Sequence, residues 1–202
     1  MKKFIVLACL ATTVSMTAGV AMADSIQGRL GVTGRVGFMV PAENDVDFNN
    51  NKTDVGFIGG GGFIYGITDH FAAEIDVTRS TFGSETGDFG VTNVSLGGQY
   101  RFALPHHQLV PYLGGGLDIL VSDYDPDTSV MFDRPSKADV DTTVGVHASA
   151  GVDYFLLKQL ALTAEAKLVV APDTKVTDRL GNRGDFNPTN FSSTVGIRYF
   201  FN

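Results

Sequence analysis

Residues 191–201 read Phe191-Ser192-Ser193-Thr194-Val195-Gly196-Ile197-Arg198-Tyr199-Phe200-Phe201, with Asn202 after them. Phe191, Val195, Ile197, Tyr199 and Phe201 alternate with Ser192, Thr194, Gly196 and Arg198. A period of two puts these sets on opposite faces of a strand. One face suits hydrocarbon and the other a polar lumen, which is how a strand of a transmembrane β-barrel reads.

Working back from this strand, the same period with turn chemistry at its ends predicts seven more: Arg29–Val40, Asp54–Ile67, Phe71–Arg79, Val91–Phe102, Val110–Val121, Thr143–Phe155 and Leu160–Val170, with Phe191–Phe201 as the eighth. The segments between them alternate in length. Pro41–Thr53, Ser80–Gly90, Ser122–Thr142 and Ala171–Asn190 are long and polar, whereas Thr68–His70, Ala103–Leu109 and Leu156–Gln159 are short. This rhythm predicts an all-β, eight-stranded antiparallel up-and-down transmembrane barrel in the bacterial outer membrane, with both termini and the short turns periplasmic. Tyr65, Phe71, Tyr100, Phe102, Tyr154, Tyr199 and Phe201 fall beside the short turns or the C-terminus and are expected to form a periplasmic aromatic girdle. A thinner outer girdle is expected from Phe82, Phe89 and Phe191.

The N-terminus carries its own signal. Lys2 and Lys3 precede an apolar run from Phe4, and Ala21-Met22-Ala23 has small residues at the cleavage spacing, so residues 1–23 are expected to be a removed secretory signal and 24–202 the barrel domain. A competing reading acylates Cys9 after Val6-Leu7-Ala8. Cleavage after Ala23 removes the single cysteine, and with it disulfides, thiol catalysis and cysteine-based metal sites. Loss of Lys2 and Lys3 takes the formal net charge from −7 to −9, an acidic balance that argues against nucleic acid as a partner. Beyond residue 23 no apolar run is long enough for a spanning helix, while frequent glycine, 24 in the full chain, suits short alternating strands in which every backbone group pairs.

Sorting the strands by parity turns Arg29, Arg35, Arg101, Lys167 and Arg198 inward together with Glu74, Asp76, Asp118, Asp153 and Glu165. Two readings follow. The charges form a paired plug that holds a narrow barrel closed, or they form a gate or solute-selecting constriction. Inward glycines at 31, 34, 37, 59–62 and 114–116 are expected where strands bend or neighbours crowd. A phosphate-loop reading of these glycines lacks the following helix and the Lys-Ser/Thr pair.

Three constellations invite a site. His147-Ala148-Ser149 resembles the His-x-Ser pair of the outer-membrane lipid A deacylases, with Glu165 on the next strand as the residue that would orient the histidine. Parity, however, places His147 and Ser149 in the lumen, where the alternative is a histidine held in the polar network. Asp123-Tyr124-Asp125-Pro126-Asp127 opens like a calcium loop but has Thr128 and Arg134 where such a loop needs glycine and glutamate. It reads as a solvated acidic loop, or as a weak bridge through divalent cations to lipopolysaccharide phosphates. His106-His107 lies in a short turn without companion ligands. No cofactor, no metal and no catalysis are expected.

Thr68-Asp69-His70-Phe71-Ala72-Ala73-Glu74, Pro111-Tyr112-Leu113-Gly114-Gly115-Gly116, Gly151-Val152-Asp153-Tyr154 and Gly196-Ile197-Arg198-Tyr199-Phe200 resemble the OmpW family of small outer-membrane barrels, and several of these pieces are similar to the barrel domain of OmpA. The OmpW resemblance implies a narrow channel for small hydrophobic compounds, with an apolar lumen and a lateral exit to the bilayer, although the lumen expected here is charged; a channel for small solutes is the broader expectation. The OmpA resemblance implies a non-conducting structural or surface-interaction role. The partners implied are outer-membrane lipid and lipopolysaccharide, the outer-membrane assembly machinery and, for a channel, a small solute.

Overall fold

The computed structural model describes residues 25–41, 55–84, 87–102, 108–126, 138–139, 142–172, 174–177, 183–186 and 188–201. The signal segment, Cys9 and His106-His107 lie outside them. So do the side chains of Phe82, Phe89 and the acidic run from Asp123 to Arg134.

The strands are β1 (Leu30–Pro41), β2 (Gly56–Gly66), β3 (Phe71–Ser84), β4 (Gly87–Arg101), β5 (Leu109–Pro126), β6 (Ala138–Asp139), β7 (Thr143–Leu157), β8 (Leu160–Val170), β9 (Thr174–Thr177), β10 (Arg183–Phe186) and β11 (Asn190–Phe200). The sheet runs β4-β3-β2-β1-β11-β8-β7-β5, and pairing of β4 with β5 closes it into an antiparallel barrel of eight strands. Closure leaves no edge with unpaired backbone groups, the condition for spanning hydrocarbon. Alternation is carried through every barrel strand: in β11, Phe191, Ser193, Val195, Ile197 and Tyr199 are exposed, while Ser192, Thr194, Arg198 and Phe200 are buried.

The expected strands are all present, and β3, β4 and β5 run furthest beyond their expected bounds. β3 and β4 pair as far as Ser84 and Gly87, and β5 continues to Pro126, where it also pairs with β6. The Ser80–Gly90 segment is therefore largely strand, and β9 and β10 pair antiparallel within Ala171–Asn190. Continued pairing satisfies backbone groups that a bare loop would leave to water.

At the end carrying the short turns and residues 25 and 201, here the turn end, Thr68 Oγ1 accepts from the backbone N–H of Phe71 at 3.0 Å and of His70 at 3.2 Å, closing the β2–β3 turn. Residues ahead of β1 tuck beneath the barrel, where Gly28 adopts φ 74° and donates to the Gly66 carbonyl at 2.7 Å.

The interior corrects one expectation. Inward positions are not only charged or glycine. Ile26, Ile64, Ala72, Val110, Phe155, Ala161 and Phe200 pack into an apolar stopper at the turn end, in which the Phe155 and Phe200 rings stack at 5.9 Å. Met39, Ile58, Val91, Leu120, Val169 and Ala171 form a second apolar layer toward the opposite, loop end. The inward charged residues other than Arg29 lie between the two.

Candidate functional site

Three guanidiniums and four carboxylates converge inside the barrel, several of them rooted toward the turn end. Arg35 on β1 donates to Glu165 Oε1 at 2.6 Å and to Glu74 Oε1 at 2.7 Å, and sits 3.1 Å from Asp76 Oδ1. Arg198 on β11 donates to Glu74 Oε1 at 2.9 Å, to Asp153 Oδ2 at 2.7 Å and to Thr33 Oγ1 at 3.0 Å. Arg101 on β4 donates to the same Asp153 oxygen at 2.7 Å and to Gln99 Oε1 at 3.3 Å, while Gln99 donates to Glu74. These groups are shielded from solvent, with Arg198 and Asp153 at 0% exposure and Arg101 at 1%. Charge-assisted bonds of this length compensate the cost of removing each ion from water only when every member is present.

Tyr112 on β5 ties the network together. Its hydroxyl donates to Glu165 Oε2 at 2.9 Å, and its ring lies 5.9 Å from the Arg101 guanidinium carbon and 5.6 Å from that of Arg198. Opposite Tyr112, β7 presents Gly151, where a Cβ would fall 2.4 Å from the tyrosine ring. Glycine is required there because the ring occupies the space of any side chain.

Asp118 and Lys167 belong to a separate cluster nearer the loop end. Asp118 accepts from Asn93 at 2.8 Å and Ser95 at 2.5 Å, and lies 2.5 Å from His147 Nδ1. Lys167 donates to Ser95 at 2.6 Å and stands 3.4 Å from Asp118. The imidazole rests against Gly97 and Gly116, where a Cβ would lie 3.1 and 2.8 Å from ring atoms.

Arg29 is not part of either cluster. It sits at the turn-end mouth, bonded to the carbonyl of Lys158 at 3.1 Å with its guanidinium 5.5 Å from the Phe200 ring centre. The turn formed by Gly28 redirects the chain there before parity takes hold. Glu165 does not orient His147, because it is engaged by Arg35 and Tyr112, and Asp118 takes the histidine instead. Ser149 lies one inward position further toward the turn end, against Gly114.

Among the described residues little space remains inside. A cavity of about 20 Å³ lies on the loop side, among Met39, Leu120, Arg35 and Lys167, and another of about 10 Å³ lies among Glu74, Asp76, His147 and Ser149. The larger has room for a single water. Tyr112, Gln99, Thr33, Asn93 and Ser95 escaped a reading confined to charges, though their parity placed them inward with their charged neighbours.

The seven aromatics assigned to a girdle stand exposed around the turn end. Phe71, Tyr100 and Phe102 meet edge to face at 5.0 Å, as do Tyr199 and Phe201 at 5.4 Å.

Comparison with known proteins agrees with this architecture. The outer membrane protein OprG from Pseudomonas aeruginosa superposes with a TM-score of 0.71 at 16% identity, over 89% of this chain and 99% of that one. Neisserial surface protein A gives 0.63 at 17% identity, over 85% and 97%, and the E. coli outer membrane protein W 0.50 at 18%, over 87% and 98%. At such identities the likeness is one of fold. No curated protein matches the chain by sequence. The model of the outer membrane protein beta-barrel domain matches residues 6–199, nearly the whole chain, so the protein belongs to the outer membrane protein β-barrel domain family.

Proposed function

We propose that the protein is a closed barrel whose body does not conduct in this conformation and whose role is structural or directed at the cell surface. The observation that supports this is the filled interior: among the described residues the Arg35–Arg198–Arg101 network lies between two apolar layers, and the two cavities that adjoin it inside the barrel measure about 20 and 10 Å³. An eight-stranded barrel is only just wide enough for its own side chains. Planar-bilayer recording on refolded protein tests the reading. Silence is expected, and steady single-channel openings would overturn it.

A channel for small solutes is the second reading. It is favoured by the apolar layer of Met39, Ile58, Val91, Leu120 and Val169, which would line the loop-end mouth above the polar residues. It requires the charge network to part as a gate.

The topology we infer places the short turns, the aromatic girdle and both termini in the periplasm, with residues 1–23 removed as a signal, because the long polar segments all lie at the other end. Protease cleavage in intact cells confined to the loop end is the expected result. Lipid and lipopolysaccharide are the surroundings, and the assembly machinery is the partner that the aromatic-rich C-terminal strand suits. Asp118 orients His147, so among the described residues the histidine is held within the polar network.

A further inference from the structure

The described outward-facing side chains of the barrel strands are apolar, small or hydroxyl-bearing, with one charged exception, Arg79 on β3. It shares the outer face with Ile75 and Val77, while Asp76, Thr78 and Ser80 turn inward. Directly across on β4 stands Thr92, whose hydroxyl oxygen accepts from Arg79 Nη1 at 3.2 Å. On the other flank β2 presents Gly59, so no side chain from that position crowds the guanidinium.

Height along the barrel gives this position its meaning. Phe71, part of the turn-end aromatics, precedes Arg79 by eight residues on the same strand. At about 3.4 Å per residue and a tilt of roughly 40°, that is about 20 Å along the barrel axis, against an apolar band about 25 Å tall. Arg79 is thus rooted just inside the far edge of the hydrocarbon, and its long side chain reaches the headgroup layer. Lipid phosphates lie there, and a guanidinium fork matches a phosphate in both charge and geometry.

We propose that Arg79, oriented by Thr92, binds the phosphate of a membrane lipid at the loop-end headgroup layer. The same chemistry has two sources, the phosphodiester of a glycerophospholipid and the phosphate of lipid A. The site is independent of whether the lumen conducts.

Native mass spectrometry of the refolded full-length protein in detergent tests this, with phosphatidylglycerol, lipid A or phosphate-free diacylglycerol supplied in turn. Wild type is expected to retain a phosphate-bearing lipid about fivefold more than Arg79→Gln, the effect of one cation near a membrane surface. Diacylglycerol should bind both proteins alike. Arg79→Lys should keep part of the preference, because the charge remains and the planar fork is lost. A difference confined to phosphatidylglycerol assigns the glycerophospholipid as the source, and one confined to lipid A assigns lipopolysaccharide. Equal retention of both phosphate lipids by wild type and Arg79→Gln, with heat-modifiable gel mobility intact in each, overturns the proposal.

Discussion

Arg198 donates to Asp153 at 2.7 Å with both side chains fully shielded from solvent, joining β11 to β7 past the intervening β8. Such a bond spans the lumen where strand pairing cannot reach, and it sits between apolar layers that keep water out. Removing one partner of a buried pair leaves the other charged without compensation, which typically costs about 3–5 kcal/mol.

Arg198→Ala should cost the more of the two arginine deletions, up to about 3–5 kcal/mol, because it removes a cation from both Glu74 and Asp153 and leaves each with a single guanidinium, Arg35 and Arg101 respectively. Arg101→Ala should cost less, since Asp153 retains Arg198 on the same oxygen. Reversible urea unfolding in lipid vesicles measures the order. Under the closed-barrel reading Arg198→Ala should also admit ions in a planar bilayer, whereas a wet pore would show a small stability change and altered selectivity only.

Tyr112→Phe keeps the ring between the two guanidiniums and deletes only the hydroxyl that donates to Glu165. A hydrogen bond to a charged group contributes about 1.5–3 kcal/mol, so a loss of that size is expected by the same unfolding assay. Gly151→Ala should destabilise by about 1–3 kcal/mol through overpacking against the same ring.

Ile64 is wholly buried in the turn-end stopper. Ile64→Ala should cost about 2–5 kcal/mol as a cavity opens among Phe155, Phe200 and Val110. The charged layer beside it should become more accessible, which hydrogen exchange of the β2 and β11 amides would register as faster exchange.

Leu96 faces outward at 62% exposure, four residues from Tyr100 on β4. This places it near the middle of the apolar band, where an arginine costs about 2–4 kcal/mol. Leu96→Arg should therefore weaken folding into vesicles by that amount. Arg79→Leu should change stability little, because Arg79 is rooted near the edge of the band, where the depth-dependent cost of a cation is small.

What could be read from the chain itself was the face of each residue. A period of two is local: Ile197 and Arg198 diverge because adjacent Cβ atoms in a strand point apart, whatever lies across the barrel. The same holds for the loop rhythm and for the aromatics beside the short turns, which depend only on where strands end. Inward apolar residues were harder to recognise. Ile64, Phe155 and Phe200 each sit between two outward apolar neighbours, so the local pattern reads as uniformly hydrophobic although the parity continues.

Partnership was decided only by the tertiary structure. Arg198 meets Glu74 three strands away, Arg35 meets Glu165 two strands away, and His147 takes Asp118 in place of the nearer candidate Glu165. Closure of the sheet and the stagger of its strands bring side chains together near one axis, and the levels at which they meet are set by registers accumulated around the whole ring. For the same reason the division into a stopper, a charged layer and a second apolar layer is a property of the closed barrel and of no single strand.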